Sequence, residues 1–271
     1  MSWNLAFITQ DKFDEHVWNT VLDYRSSMQP VDLQSFNSNT VDPIKLLLDK
    51  AVRQKSWEEI IQDEIFRQRD KSANNSIGYF HQKLFSYIDH CEVPPAGWDV
   101  IARFPEGIDP GDGSRVSTVY VEMKNKHNTM NSASAAKTYN KAQKQILDDD
   151  DCACFLVEAI AKRSQNVTWS VKVDGEHRSH KKIRRVSIDR FYSLVTGDPR
   201  AFYKVCQALP ESIERALSKL KEPPLPYDSA YDEIVEMSTH LDGNVSSALF
   251  QLGFSSYQGF GSHDYGVVKI P

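Results

Sequence analysis

The chain has 271 residues, which against a prior of about 150 residues per domain makes one large domain or two small ones. With 40% hydrophobic and 25% charged residues, 12 Gly and 12 Pro, it excludes collagen, coiled coil and wholesale disorder, and no apolar run approaches the roughly 20 residues of a membrane span. The net charge of −5 argues against a generic nucleic-acid coat, but the charge is uneven: Tyr120 to Arg190 holds 14 Lys/Arg against 9 Asp/Glu, and the remainder 18 against 28.

The N-terminal MSWNLAFITQDKFDEH has no basic stretch followed by an apolar segment and a cleavage site, so no secretory signal is expected and the cytoplasm is the expected location. The next stretch, KFDEHVWNTVLDYRSS, puts Phe13, Val17, Val21 and Tyr24 on one helical face. A turn-rich stretch runs to Pro43. SWEEIIQDEIFRQRDKS opens with a capping box, Ser56 to Glu59, and carries Trp57, Ile61 and Ile65 at helical spacing. After Asn74 and Asn75, SIGYFHQKLFSYIDH aligns Ile77, Phe80, Leu84 and Ile88 and reads as a second helix, ended by Pro94, Pro95 and Gly97.

The period then changes. WDVIARF and VSTVYVEMK are short, β-branched and aromatic, and flank the turn-rich PEGIDPGDGSR, so they read as two strands joined by a loop. In the second, Val119, Val121 and Met123 share one face, and Tyr120, Glu122 and Lys124 the other. NSASAAKTYNKAQKQILDD is an amphipathic helix with Ala135, Tyr139, Ala142 and Ile146 in a stripe. CACFLVEAIA is almost continuously apolar, as for a strand buried on both faces, and VTWSVKV alternates. EHRSHKKIRR, Glu176 to Arg185, has five Lys/Arg and two His in ten residues; it reads as a phosphate-facing segment, with a solvated surface loop the competing reading. Beyond it, helices are expected with breaks at Gly197 to Pro199 and at Pro210. PPLP at 223–226 reads as an exposed linker, and the tail begins helical and ends in the Gly-rich, aromatic FSSYQGFGSHDYG. The four cysteines, Cys91, Cys152, Cys154 and Cys206, form no CxxC pair and no His-linked spacing, so they are expected to be reduced packing residues.

The common catalytic spellings are absent: no GxxxxGK[ST], no GxGxxG after a strand, no GxSxG and no HExxH. What remains is Asp99 entering the first strand and Glu122-Met123-Lys124 closing the second, 23 residues later. Adjacent strands bring Asp99 and Glu122 to one point. Two close carboxylates either raise one pKa or bind a divalent cation, and Mg²⁺ favours sparse carboxylates completed by water and phosphate oxygens. Lys124, on the face of Glu122, is placed to orient an attacking water or to stabilise charge on a phosphate. E-x-K alone is a common spelling on a polar strand face. Its weight comes from the strand, strand, helix, buried-strand context.

In that context the sequence resembles the PD-(D/E)XK nucleases, with Asp99, Glu122 and Lys124 matching the three catalytic positions; Asp99 follows Trp98 where the motif spells proline. VDPIKL (41–46), EEII, DKS, IGYFHQ (77–82), YVEMKNKHNTMNS (120–132), KTY (137–139) and LVEAIAKRSQN (156–166) are similar to a family of type II restriction endonucleases that cut GGNCC-type sites, over about residues 1–200. The resemblance implies an α/β fold with a PD-(D/E)XK (restriction endonuclease-like) core, a mixed central sheet flanked by helices, and N- and C-terminal helical additions. Residues 1–222 would form the endonuclease domain and 223–271 an extension packed on the core or the dimer interface. It further implies a homodimer that cleaves unmethylated double-stranded DNA at a short palindrome with Mg²⁺, or Mn²⁺ as a substitute, leaving 5′-phosphate ends. A cognate cytosine methyltransferase would accompany it. Asp99, Glu122 and the Met123 backbone carbonyl would hold the metal, and Gln82 and Glu64 would be accessory groups from an N-terminal helix.

Several further residues are DNA-contact candidates by type and place. Asn125, Lys126, His127, Asn128 and Asn131 follow the catalytic strand; the competing reading is a polar loop capping the next helix. Lys137, Lys141 and Lys144 lie opposite the Ala/Tyr stripe and suit a DNA backbone, or an ordinary solvated face. Lys162, Arg163, Gln165 and Asn166 leave the end of the buried strand, with Arg163 and Lys162 favoured for a G·C-rich target. Lys181, Lys182, Arg184 and Arg185 come from the basic strip. Two other functions stay open: a repair or recombination nuclease of the same superfamily, and a non-catalytic DNA-binding module, against which the paired carboxylates argue.

Overall fold

The computed structural model describes residues 3–38, 40–173, 175–220, 227–241 and 243–254. The expected linker at 223–226 and nearly all of the Gly-rich aromatic stretch, 255–266, lie outside these. The described residues divide into two compact units, one of 3–23 with 74–220 and the other of 24–73 with 227–254. Among them no helix is long and apolar enough to cross a membrane.

The first unit is built on a mixed six-stranded sheet. Its strands are β1 (Cys91–Glu92), β2 (Val100–Ile108), β3 (Val116–Lys126), β4 (Cys152–Ile160), β5 (Asn166–Val173) and β6 (Glu176–Ser187), in the order β1-β2-β3-β4-β6-β5. β3 pairs parallel with β4 and β4 parallel with β6, while the outer pairings are antiparallel. With helices on both faces, this is the expected restriction endonuclease-like α/β architecture. The helices α1 (Gln10–Ser26), α2 (Leu33–Asn37), α3 (Pro43–Arg53), α4 (Trp57–Leu84), α5 (Ser132–Asp148), α6 (Ile188–Thr196), α7 (Ala201–Lys219), α8 (Ala230–Thr239) and α9 (Val245–Phe254), with a 3-10 turn at Phe85–Tyr87 after α4, complete the described elements.

β4 is buried over its first seven residues, and its alternate side chains serve two cores. Ala153, Phe155 and Val157 join Val100, Val119 and Val121 under Phe13 and Val17 of α1, Phe80 and Leu84 of α4, Phe191 of α6 and Val205 of α7. Cys154 and Leu156 face the other way, onto Tyr139 and Ala142 of α5 with Trp98, Trp169 and Ile183. The second unit has its own core, in which Phe36, Leu46, Ile60, Ile61 and Ile65 pack with Ile234, Ala248 and Leu249.

Four sequence expectations change. The two helices read around Asn74 and Asn75 are one 28-residue helix, α4; asparagine costs only a few tenths of a kcal/mol in a helix and no proline intervenes. Pro210 sits inside α7 without ending it, because Val205, Ser212 and Ala216 on either side are buried and this packing offsets the roughly 3 kcal/mol of an interior proline. The turn-rich stretch before Pro43 contains α2, capped by Asp32, and α3 then starts at Pro43 behind the cap Asp42. The basic strip is the strand β6 and not a loop. The Ser56/Glu59 capping box forms as spelled, with both reciprocal bonds present at 2.8 and 3.2 Å.

Asp14 on α1 ties that helix to α7 by accepting from Ser212 Oγ (2.5 Å) and from Arg215 Nε and Nη2 (both 2.7 Å). Burial pushes this carboxyl up, but the bonds from Arg215 and Ser212 and the Arg215 charge outweigh it and hold the pKa below the ordinary value. A depressed folded-state pKa gives stability that is full above the unfolded value and is lost as pH falls through the folded one. Asp14→Ala also strands the buried Ser212 hydroxyl, so it should cost about 1–3 kcal/mol at neutral pH. Urea midpoints should show that loss and a shrinking difference from wild type below about pH 4.

Candidate active site

Val100 pairs with Val121, and the Asp99 N–H donates to the Val121 carbonyl at 2.9 Å, which brings Asp99 alongside Glu122. Asp99 Oδ2 in turn accepts from the Met123 N–H at 2.7 Å. Gln82 of α4 donates from Nε2 to the Asp99 carbonyl at 3.2 Å. Asp99, Glu122, Met123 and Gln82, with Lys124, Asn125, Asn74, Asn75 and His81, line a cavity of about 340 Å³ at the end of β3. The expected trio and Gln82 therefore converge.

The electrostatics of the two carboxylates differ. Burial raises the Asp99 carboxyl and the neighbouring Glu122 charge adds to it, against the Met123 N–H and the two nearby lysines. Burial would also raise Glu122, but Lys124 and Lys141 outweigh it and hold the pKa below the ordinary value. Lys124 Nζ meets Glu122 Oε1 at 2.7 Å and Lys141 Nζ meets Oε2 at 2.8 Å. The donor set suits a hard cation: carboxylate oxygens, no sulfur, and an Asp99 short of positive charge. Among the described residues no group of three or more His, Cys, Asp or Glu is placed to hold a metal ion; Asp99 and Glu122 are a sparse pair of carboxylates of the kind Mg²⁺ accepts beside water and phosphate oxygens.

A second, larger cavity of about 540 Å³ gathers His127 and Asn128 after β3, Lys162, Arg163 and Gln165 after β4, Thr168, Trp169 and Ser170 of β5, and Glu158 and Arg185. Six of the DNA-contact candidates thus share one concavity. Its inner wall is an ion pair: Glu158, 1% exposed, accepts from Arg185 at 2.5 Å, and Arg185 Nη2 also donates to the His127 carbonyl at 2.9 Å. Glu158 Oε2 and His127 Nδ1 are buried without a hydrogen-bond partner among the described residues.

Other candidates are spent elsewhere. Glu64 is buried in the second unit, its carboxylate taken by Arg67 and Gln68, and does not line either cavity. Arg184 is buried, with Nε and Nη2 on Asn166 and Nη1 on the Lys181 carbonyl; Asn166 also donates to the Pro110 carbonyl. With these bonds made, neither Arg184, inside β6, which is paired on both sides, nor Asn166, at the start of the edge strand β5, presents a free head group to DNA. Asn131 caps α5 by accepting from Ser134 N at 2.9 Å, which is the competing reading given above. Lys182 reaches the Asp150 carbonyl and Lys181 lies 3.7 Å from Asp112. Lys126, Lys137 and Lys144 are exposed. Sequence reasoning missed Glu158, whose one signal is an acid inside an otherwise apolar strand, and placed Lys141 on an outer helix face.

The chain matches the pattern of the Eco47II restriction endonuclease family over residues 5–218, a span that includes both cavities. It is 27% identical over 218 residues to the type II restriction enzyme Sau96I of Staphylococcus aureus, covering 78% of this chain and 80% of that enzyme. It is 29% identical over 225 residues to the type II restriction enzyme Eco47II of Escherichia coli, covering 76% and 87%.

The Glu158–Arg185 pair yields a stability test. Glu158→Leu leaves the Arg185 guanidinium uncompensated and should cost about 3 kcal/mol, whereas the double variant with Arg185→Leu should recover much of it. Equal unfolding midpoints for wild type and the single variant would show that the pair contributes nothing.

Proposed function

This chain belongs to the Eco47II restriction endonuclease family, and we propose that it cleaves unmethylated double-stranded DNA at a GGNCC-type palindrome, with Mg²⁺, at the cavity formed by Asp99, Glu122 and Lys124. The convergence of those three side chains at the end of β3, with Lys124 held on Glu122 at 2.7 Å, is the observation that carries the reading. The GGNCC target is supported by the YVEMKNKHNTMNS run and its likeness to enzymes that cut such sites. Enzymes of this type generally need a divalent metal.

The two carboxylates and the Met123 carbonyl would hold the cation, which when bound supplies Lewis acidity and lowers the pKa of a water molecule. Asp99 is fixed by the Met123 N–H and Gln82 steadies the backbone at Asp99, so this ligand does not have to be ordered when DNA arrives. Lys124 orients the attacking water and places its charge against the phosphate. In-line attack on phosphorus breaks the bond to the 3′ oxygen and leaves a 5′-phosphate and a 3′-hydroxyl. The second cavity supplies donors for the bases, chiefly Arg163 and Lys162 toward guanine. A palindrome presents two equivalent half-sites, which a two-fold homodimer matches, and host DNA would be protected by a cognate cytosine methyltransferase. Such an enzyme acts in the cytoplasm.

The test is incubation of the protein with unmethylated plasmid and Mg²⁺ beside a metal-free control, with sequencing of the ends. Discrete fragments ending within GG and CC dinucleotides are expected. Ladders or structure-dependent products would identify a repair nuclease, and intact plasmid that shifts on a gel a binding module. Lys124→Ala should bind the site and lose on the order of 10²–10³-fold in cleavage rate. Asp99→Asn should abolish Mg²⁺-supported cleavage, and an unchanged rate would remove Asp99 from the site.

A further inference from the structure

Lys141 belongs to a row of lysines on α5 with Lys137 and Lys144, both of which are exposed. It departs from that row. Its Nζ donates to Glu122 Oε2 at 2.8 Å and to the Gly97 carbonyl at 2.8 Å, and lies 4.0 Å from the centre of the Trp98 ring. The ring is itself fixed, since Trp98 Nε1 donates to Gln145 Oε1 at 3.0 Å, one helical turn beyond Lys141 on the same helix. A solvated lysine samples many rotamers; this one is held by a carboxylate, a carbonyl and an aromatic face.

We propose that Lys141 is a second active-site lysine, the resident counter-charge of Glu122, occupying in the metal-free enzyme the side of that carboxylate which a divalent cation takes during cleavage. The inference rests on the nuclease reading above. Each oxygen of Glu122 is held by one ammonium group, so a divalent cation on that carboxylate stands beside a like charge, and their repulsion drives one ammonium away. Lys124 extends from the same strand, two residues along. Lys141 retains the Gly97 carbonyl and the Trp98 ring once Glu122 is released, and is therefore the partner that yields. Until then the two lysines balance the two carboxyl groups, and a phosphodiester meets no net negative charge there. Lys141 thus lets the enzyme engage DNA before the cation is in place, and competes with the cation for one carboxylate oxygen.

The experiment measures the affinity of full-length protein for a fluorescein-labelled GGNCC duplex by anisotropy, in EDTA and across a Ca²⁺ titration, Ca²⁺ being a hard cation of the same oxygen preference. Lys141→Met keeps the stem over Trp98 and removes the charge. It should lose about tenfold or more of its EDTA affinity, the order expected for a neighbouring like charge left unbalanced. Ca²⁺ should recover most of that loss, with a half-effect concentration below that of wild type. Lys141→Arg, which keeps the charge, should stay close to wild type in EDTA, and circular dichroism confirms that each variant is folded. An equal loss with and without Ca²⁺ would make Lys141 an ordinary backbone contact, and no loss at all would make it a bystander; either result overturns the proposal. Wild-type plasmid cleavage in Mg²⁺, run alongside, separates the two levels: a wild type that cuts confines the failure to Lys141, and one that does not cut removes the nuclease reading with it.

Discussion

The parallel pairing of β3 with β4 is the constraint on which the rest of the nuclease unit depends. Parallel neighbours cannot be joined by a tight turn, so the chain must leave the end of β3, cross a face of the sheet and return. The crossing element is α5. Its apolar stripe lands on Cys154 and Leu156 of β4, and the register sets Glu122 beside Leu156 and Lys124 beside Glu158. With the first seven residues of β4 buried, the polar groups that gather around it come from the ends of β3 and β4 and from the edge strand β5, and the two cavities lie there.

The two concavities handle charge differently. At the end of β3 Glu122 is partly buried and answered by two lysines whose side chains are themselves partly exposed, so its charge pairing remains exchangeable. At the end of β4 the carboxylate of Glu158 is enclosed, and its partner Arg185 is committed twice over, to Glu158 and to the His127 carbonyl. Breaking such an enclosed pair is costly because one charge is left without solvent or partner. The first arrangement suits a site that must admit a cation and release products, the second a site that must keep its shape.

The sequence made much of this legible. Period-two alternation placed Glu122 and Lys124 on one face, and the apolar run marked β4 as a strand buried on both faces. The capping box at Ser56 and the stripe on α5 are local signals, and local signals survive into the fold. What stayed hidden depends on contacts distant in the chain. The strip EHRSHKKIRR looks solvated because its charge is counted without its partners; Asn166 and Glu158, 18 and 27 residues away from Arg184 and Arg185, are what allow it to be a strand. Helical spacing groups Lys141 with Lys137 and Lys144, and nothing in that spacing reveals that Trp98 and Glu122 wait on one side. Glu64 carries another lesson: an acid beside Ile61 and Ile65 reads equally as an inward or a solvent-facing side chain, and it is buried in the second unit on a partner, Arg67, only three residues on. The pairing of 24–73 with 227–254 in one unit has no signature in composition.

The doubly held Arg185 also bears on how such an enzyme could diversify. The inner wall of the second cavity, Glu158 with Arg185 and the His127 carbonyl, is part of the sheet's own integrity. Its rim is not: Lys162, Arg163, Thr168 and Ser170 are exposed and none of them belongs to the apolar cores. Rim side chains can be exchanged without unbalancing a buried charge or shifting β3, so on the proposed reading of the two cavities target preference and catalytic competence are separable traits in this scaffold. A lineage could drift toward a new recognition sequence through changes at the rim, each intermediate still folded and still armed.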